Sequence, residues 1–364
     1  MKKFISKYIP LVVLLVILIG CGKQENKMLN QENKTGKVGE QINGAGATFP
    51  FPIYSKWFSE YGKVNTDAKI NYQSIGSGGG IKQLTEGTVD FGATDSPMKE
   101  DELKTAGEKN GSNVIHIPTV IGAVVLAYNI PGIDKNINLS SEAIAGIFLG
   151  KITKWNDPLI KADNPDVNLP DADIIVAHRT DGSGTTYVFT DYLSKVSEDW
   201  KNGPGTGKDV KFPVGQGGKG NEGVTGLIKQ LDNSIGYVEY VYAIQNDLKF
   251  ANVKNQNGDF VAPTLESTTK AADGAVTEMP DDMRQSITNP AGAGSYPIAS
   301  YTYIILYQDQ KNEFKGKTLK AFLEWALTDG TKFATELGYA PLPDAVKQKA
   351  MEKLAGLKYN GNPL

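Results

Sequence analysis

The stretch Ala177-His178-Arg179-Thr180-Asp181-Gly182-Ser183-Gly184-Thr185-Thr186 decides how this chain folds. The apolar run before it, residues 174–177, has the character of a buried strand, and residues 185–193 repeat apolar side chains at helical spacing. A short turn rich in glycine and hydroxyl side chains joins the two. The stretch therefore predicts a strand, a tight turn and a helix start in direct succession.

The turn has the composition of an anion-binding site. A helix that begins within a Gly-Ser-Gly-Thr turn leaves backbone N–H groups without intrahelical partners, and the helix dipole favours negative charge at the same end. Arg179 adds a planar fork of donors that suits a tetrahedral oxyanion. We therefore expect this turn to form one half of an anion site.

Three other turns of the same design lie earlier in the chain, and they contain Thr48 with Phe49, Ser77 with Gly78, and Asp95. Strands that alternate with helices predict an α/β fold, in which such turns gather at the carboxyl ends of the strands. Each turn alone is compatible with ordinary turn chemistry, and an isolated Asp95 would more often cap a helix. Four donor-rich turns together favour an anion site.

Length and charge limit the function classes. The chain has 364 residues, which is enough for about two domains, and its formal net charge is −3. A net acidic chain is a poor candidate for binding nucleic acid, so an anion would be held by local donors and not by the overall field. The sequence contains no P-loop, no dinucleotide fingerprint and no cluster with metal-ligand spacing, so neither a cofactor nor a metal is expected.

The N-terminal residues predict a lipoprotein leader. Three lysines precede an apolar run at residues 11–19, which is shorter than the roughly 20 residues of a membrane span. Leu18-Ile19-Gly20-Cys21 resembles the lipobox of bacterial lipoproteins. We therefore predict a signal peptide at residues 1–20, lipidation of Cys21, and a flexible lipid-anchored tether at residues 21–41. Cys21 is the only cysteine, so a disulfide within the chain is excluded.

Two other function classes fit the sequence less well. A serine hydrolase could use Ser183 with His178 as its base, but the turn is not a Gly-x-Ser-x-Gly elbow and no third orienting group is in view. The only other histidine is His116, and a phosphatase would need a metal cluster. A structural or adhesive surface lipoprotein would not need four donor-rich turns. We therefore predict a binding protein and not an enzyme.

Several stretches of the chain resemble the phosphate-binding proteins of the bacterial high-affinity phosphate ABC transporter, the PstS family. The resemblance runs in order from about residue 42 to the C-terminus. It rests on the sequences at residues 44–50, 75–79, 89–95, 118–122, 179–185, 217–220 and 236–240.

The resemblance implies a type II solute-binding protein, similar in fold to the periplasmic binding proteins. Two α/β lobes are then joined by crossing strands and hold the ligand cleft between them, with residues 42–120 and 290–364 in lobe 1 and residues 121–289 in lobe 2. The resemblance further implies an extracytoplasmic, membrane-anchored monomer. Such a protein binds inorganic phosphate and delivers it to the permease and ATPase subunits of an ABC transporter.

Carried over position by position, the phosphate contacts of the family fall on Thr48, Phe49, Ser77, Asp95, Arg179, Ser183, Gly184 and Thr185. Asp181 resembles the family carboxylate that holds the arginine side chain. Gly78 stands where some relatives have a second serine, and its backbone N–H is expected to remain a donor. His178 stands where some relatives have a second basic residue, and it is expected to be a partly exposed neighbour of the site and not a ligand.

Asp95 is expected to select the ligand. A carboxylate repels a generic anion, but phosphate near neutral pH keeps at least one proton, so its P–OH can donate a hydrogen bond to Asp95. Sulfate is fully ionised, so two buried acceptors would face each other, at a cost of about 1–3 kcal/mol or more. The chemistry of this residue therefore predicts a preference for phosphate over sulfate.

Overall fold

The computed structural model describes residues 40–274 and 279–364. The predicted signal peptide, the lipidation residue Cys21 and the tether up to residue 39 lie outside the described residues. Within the described ranges, no helix combines the length and the apolar character needed to cross a membrane. The first strand begins at Gln41, one residue before the predicted start of the fold.

Strands and helices alternate through most of the described chain. The strands are β1 (Gln41–Gly46), β2 (Lys69–Ser74), β3 (Phe91–Thr94), β4 (Val114–Asn129), β5 (Asn138–Leu139), β6 (Ile175–Arg179), β7 (Gln216–Gly218), β8 (Ser234–Glu239), β9 (Lys249–Phe250), β10 (Asn252–Lys254), β11 (Phe260–Val261), β12 (Ala299–Tyr307), β13 (Asp309–Gln310), β14 (Lys358–Tyr359) and β15 (Asn362–Pro363).

The helices are α1 (Phe51–Val64), α2 (Ser77–Thr85), α3 (Glu100–Asn110), α4 (Ser141–Phe148), α5 (Pro158–Asp163), α6 (Gly184–Val196), α7 (Glu198–Asn202), α8 (Gly220–Gln230), α9 (Tyr240–Gln245), α10 (Leu265–Asp273), α11 (Glu313–Ala326), α12 (Thr331–Leu337) and α13 (Asp344–Ala355). This alternation confirms the predicted α/β class.

The main sheet has the order β2-β1-β3-β12-β4-β8-β6-β7, with β9 paired to β4. Strands β1, β2 and β3 are parallel to one another, and we call them the β1 half. Strands β6, β7 and β8 are also mutually parallel and form the β6 half. Strand β4 connects the halves, because it pairs with β12 along Val114–Ala123 and with β8 along Val124–Asn129.

Amphipathic helices cover the sheet as their sequences predict. Helix α1 begins just after Pro50, where a fixed φ suits a helix start, and it buries Ile53, Trp57 and Tyr61 on one face. Helix α11 buries its apolar stripe in the same way. Helix α13 was not predicted, although its buried residues Val346 and Ala350 follow helical spacing.

Two regions whose glycine-rich or polar sequences show little hydrophobic periodicity, and therefore predict irregular structure, contain regular elements. Residues 203–223 include β7 and the start of α8, and residues 251–296 include β10, β11 and α10. The strands in these regions have only two or three residues, so they carry no detectable alternation of their own. Pairing with strands elsewhere in the chain specifies β7, against β6, and β10, against β5, and β11 then pairs with β10.

Candidate functional site

The four predicted turns lie at the carboxyl ends of parallel strands. Thr48 follows β1, Ser77 follows β2, and Asp95 follows β3, whereas Arg179 is the last residue of β6. All four are buried, with 5% exposure or less. The turns of the β1 half and of the β6 half therefore supply the two sides of one site, as expected for ligand sites in open α/β sheets.

The two sides are in direct contact through backbone groups. The Gly184 N–H donates to Ser77 Oγ at 3.1 Å, and the Gly78 N–H donates to Gly182 O at 2.8 Å. A Cβ atom on Gly184 would lie 2.4 Å from both Asp95 Oδ2 and Ser77 Oγ, so only glycine allows this approach. The Gly78 N–H, expected as a donor to the anion, is thus committed to a carbonyl group across the site.

Arg179 is held as a rigid fork. Its Nε and Nη2 atoms donate to Asp181 Oδ1 at 2.8 Å and to Asp181 Oδ2 at 2.5 Å. Asp181 Oδ1 also accepts from the Gly220 N–H at 2.9 Å. Burial alone would raise the pKa of Asp181, but the hydrogen bonds and charge of Arg179 hold it below the ordinary value. Asp181 therefore fixes the guanidinium plane, as the resemblance implies for its family counterpart.

Two hydroxyl groups of the β1 half have both lone pairs occupied by N–H donors. Ser77 Oγ accepts from the Asp95 N–H at 3.3 Å and from the Gly184 N–H at 3.1 Å. Thr48 Oγ1 accepts from the backbone N–H and the Nδ2 of Asn221, at 3.2 and 2.7 Å. A hydroxyl oxygen has two lone pairs and one proton, so these groups can only donate a further bond.

The hydroxyl groups of the β6 half follow the same pattern. Thr185 Oγ1 accepts from Arg179 Nη1 at 3.4 Å and from Asn221 Nδ2 at 3.2 Å. Ser183 caps helix α6, because its Oγ accepts from the Thr186 N–H at 3.0 Å and its own hydrogen remains available. Both halves of the site therefore present hydroxyl donors, which an oxyanion needs.

Asp95 contributes an acceptor to this set of donors. Its Oδ1 accepts from Thr302 Oγ1 at 2.8 Å, and its Oδ2 lies 3.5 Å from Ser77 Oγ. Burial raises the pKa of Asp95 to about 7, while the Thr302 hydrogen bond, the charge of Arg179 and the Ser77 hydroxyl oppose the rise. Protonated and ionised forms of Asp95 are therefore close in free energy near neutral pH.

Helix dipoles add to the positive potential of the site. Helices α2 and α6 begin at Ser77 and Gly184, which are in contact, and α8 begins at Gly220, which donates to Asp181. Each helix has nine or more residues and carries partial positive charge at this end. The site can therefore stabilise a multiply charged anion although Arg179 shares its charge with Asp181.

Sequence reasoning missed three buried residues that organise the site: Asn221, Glu239 and Thr302. Asn221 donates to Thr48 and Thr185, and its Oδ1 accepts from the Glu239 N–H at 2.9 Å. Its position directly after the motif at residues 217–220 was the only local signal. Thr302 had none, because it lies in a fully buried strand that also contains Ser300 and three tyrosines, so nothing in the pattern distinguishes it.

Glu239 is the last residue of β8, is fully buried and contacts Asn221. Its Oε2 accepts from the Val241 N–H at 2.9 Å and lies 3.3 Å from Tyr339 OH. Burial, followed by the charge of Asp95, raises its pKa well above the ordinary value, against the opposing hydrogen bonds. Tyr339 OH donates its one hydrogen to Phe49 O at 2.7 Å, so this hydroxyl lies between Glu239 and the turn after β1.

The histidines do not form a catalytic arrangement. The His178 ring stacks on Phe212 with centroids 4.7 Å apart, and its Nδ1 contacts Arg179 O at 3.0 Å. It is partly buried, as predicted. His116 is buried and its Nε2 accepts from the Met98 N–H, while burial lowers its pKa to about 3. In the described part of the chain, no group of three or more potential metal ligands is assembled.

Comparison with known proteins gives a consistent result. A family model described as the PBP superfamily domain matches residues 31–330. The chain is 48% identical over 311 residues to the phosphate-binding protein PstS of Pasteurella multocida, covering 85% of this chain and 88% of the relative. It is 50% identical over 303 residues to PstS of Haemophilus influenzae, covering 83% and 89%.

Solved structures share the fold at lower identity. A phosphate-binding protein from Stenotrophomonas maltophilia aligns with a TM-score of 0.68 at 22% identity, covering 86% of this chain and 93% of that one. The high-affinity periplasmic phosphate-binding protein PfluDING, solved with bound phosphate, aligns with a TM-score of 0.70 at 21% identity, covering 88% and 97%. At these identities the likeness concerns the fold.

Proposed function

Since the chain belongs to the PBP superfamily and, within it, to the phosphate-binding proteins named PstS, we propose that it binds inorganic phosphate for import by an ABC transporter. It acts as the solute-binding component and catalyses no reaction. The phosphate contacts are Thr48, Phe49, Ser77, Asp95, Arg179, Ser183, Gly184 and Thr185. Asp181 supports them by holding Arg179.

One observation carries this proposal: the buried site combines a set of forced donors with the acceptor Asp95. The hydroxyls of Ser77, Thr48 and Thr185 can only donate further, because N–H groups occupy their lone pairs. A fully ionised oxyanion would match every donor but would repel an ionised Asp95. An oxyanion that keeps one hydrogen satisfies both, since its P–OH can donate to the carboxylate.

Two lobes with a cleft between them are the arrangement that suits this site. We assign residues 42–120 and 290–364 to lobe 1 and residues 121–289 to lobe 2. The change of partner along β4 supports this division, because the strand leaves β12 for β8 between Ala123 and Val124. Closure of the lobes around phosphate would exclude water, which strengthens each charge-assisted hydrogen bond.

Titration calorimetry on phosphate-depleted protein tests the binding function. Phosphate should bind tightly, and sulfate and molybdate should bind far more weakly. Comparable affinity for sulfate would contradict the role of Asp95. A phosphatase assay on a generic phosphate ester is the control for the enzyme class, and turnover there would overturn the assignment as a binding protein.

Delivery to a membrane transporter is a separate part of the proposal. We propose that Cys21 is lipidated and anchors a monomer to the extracytoplasmic face of the cell membrane, near the permease and ATPase subunits. Mass spectrometry of the N-terminal peptide tests the modification, and Cys21→Ser should release the protein from the membrane. In cells without their own phosphate receptor, the chain should restore uptake, and Arg179→Ala should not.

A further inference from the structure

Thr302 contacts Asp95 Oδ1, the carboxylate oxygen on the side away from Gly184. The residue is fully buried in β12, and its Oγ1 lies 2.8 Å from Asp95 Oδ1, across 207 positions of the chain. The pairing register between β12 and β4 shifts between Thr302 and Tyr303. On its other edge β12 pairs antiparallel with β3, and the register that pairs Tyr303 with Thr94 places Thr302 opposite Asp95.

The backbone of Thr302 is fixed by a second buried hydroxyl. Thr119 Oγ1 donates to Thr302 O at 3.1 Å. Because this bond uses the only hydroxyl hydrogen of Thr119, the 2.8 Å contact between Thr119 Oγ1 and Tyr54 OH has the tyrosine as donor. The main chain at Thr302 is therefore held from the side of α1, and the Thr302 hydroxyl has a defined position.

The two oxygens of Asp95 have different surroundings as a result. Oδ1 accepts from Thr302, whereas Oδ2 lies towards the opposite turn, where a Cβ on Gly184 would be only 2.4 Å away. Ser77 Oγ is 3.5 Å from Oδ2, which is a weak hydrogen bond at most. Oδ2 therefore keeps acceptor capacity on the side of the site where the donors converge.

We propose that Thr302 is a specificity-determining positioning residue: by donating to Asp95 Oδ1, it reserves Oδ2 as the acceptor for the hydrogen of a protonated oxyanion. The inference rests on the proposed phosphate-binding function. It assigns the exclusion of sulfate to a pair of residues, Asp95 and Thr302, and not to the carboxylate alone.

The physical reason is the cost of an unpaired buried acceptor. Without the Thr302 hydroxyl, Oδ1 loses its strong donor inside the protein, and the ionised form of Asp95 becomes less favourable. A carboxyl group that keeps its proton is a donor, and it can then accommodate a fully ionised oxyanion. Loss of the hydroxyl should therefore relax selectivity, and phosphate, which can accept from a protonated Asp95, should still bind.

The test compares Thr302→Val, which removes the hydroxyl in a side chain of similar shape, with Thr302→Ser, which keeps it. Phosphate and sulfate affinities are measured by calorimetry on the full chain. Ser300→Ala is the matched control, because Ser300 lies two residues away in β12 and its hydroxyl donates to Tyr301 O at 2.8 Å, not to Asp95.

We expect Thr302→Val to reduce the ratio of sulfate to phosphate dissociation constants by about tenfold or more, the scale of one charge-assisted hydrogen bond. Thr302→Ser and Ser300→Ala should keep the wild-type ratio. A wild-type ratio in Thr302→Val overturns the inference. If Thr302→Val does not fold, Thr302→Ala makes the same comparison. If the wild-type chain itself does not bind phosphate, the proposed function fails, which is a different result from unchanged selectivity.

Discussion

Asn221 donates a hydrogen bond of 2.7 Å from its Nδ2 to Thr48 Oγ1, although 173 positions separate the two residues. The same Nδ2 donates to Thr185 Oγ1 at 3.2 Å, so one amide group joins a hydroxyl of the β1 half to a hydroxyl of the β6 half. Asn221 thereby orients both hydroxyl hydrogens away from itself. Its Oδ1 accepts from the Glu239 N–H, which fixes the orientation of the amide.

Substitution of Asn221 should therefore weaken phosphate binding in a graded way. Asn221→Ala removes the orienting donors and should raise the dissociation constant roughly tenfold. Asn221→Asp should cost more, because its carboxylate accepts from the Thr48 and Thr185 hydroxyls and repels the anion. Calorimetry measures both, with the exposed Asn257→Ala as the control. Equal affinities for the Ala and Asp variants would contradict the orienting role.

Arg179→Ala should abolish tight phosphate binding and also destabilise the fold. The change leaves Asp181 without its partner, and breaking a buried ion pair costs about 3–5 kcal/mol in the free energy of unfolding. The Arg179 side chain is 1% exposed and that of Asp181 is 12% exposed. Denaturant unfolding should show that Arg179→Ala combined with Asp181→Ala is more stable than Arg179→Ala alone. If the double variant is less stable than Arg179→Ala, the unpaired carboxylate of Asp181 is not the cause of the destabilisation.

Gly184→Ala should prevent the two sides of the site from meeting. The added Cβ would lie 2.4 Å from Asp95 Oδ2 and Ser77 Oγ, so we expect loss of phosphate binding while the protein still folds. Gly226→Ala is the matched control, because a Cβ there meets nothing within 4 Å and alanine favours the helix interior by about 1 kcal/mol. Wild-type calorimetric affinity in Gly184→Ala would contradict the close approach.

The stability of the unliganded protein should depend on pH through Asp95. Its pKa is raised from 3.8 to about 7 in the folded state, so the contribution to stability is fully present below about pH 4 and is lost as the pH rises through 7. The loss is on the order of 4 kcal/mol. Asp95→Asn removes this titration, so the wild-type free energy of unfolding should fall relative to that of the variant between pH 4 and pH 8. Parallel pH profiles would contradict the raised pKa.

The α/β class, the four turns and the residue types of the site were predictable from the sequence. Each turn is local: a strand pattern, a glycine or hydroxyl, and a helix start lie within about ten residues, and their backbone donors follow from the helix itself. The long similarity to the PstS proteins then confirmed the fold family that these turns resemble. The resemblance also implied the roles of Asp181 and Asp95.

Other features required contacts between distant positions. The Gly78 N–H was expected to face the anion but donates to Gly182 O, because the two turns approach each other across the site. Thr302 reaches Asp95 because β12 pairs antiparallel with β3, and the register that pairs Tyr303 with Thr94 places Thr302 opposite Asp95; no pattern within residues 299–307 marks it. The pairing of β7 with β6 similarly decides where Asn221 lies.

The sequence by itself determined which chemical groups the site contains, because glycine, hydroxyl and arginine residues at helix starts present donors wherever those helices are placed. Only the tertiary structure decided the direction of the hydrogen bonds. A hydroxyl such as Thr48 can donate or accept in isolation, and it becomes a forced donor only once Asn221 occupies its lone pairs. The acceptor face of Asp95 is likewise set by Thr302, since a carboxylate alone has two equivalent oxygens.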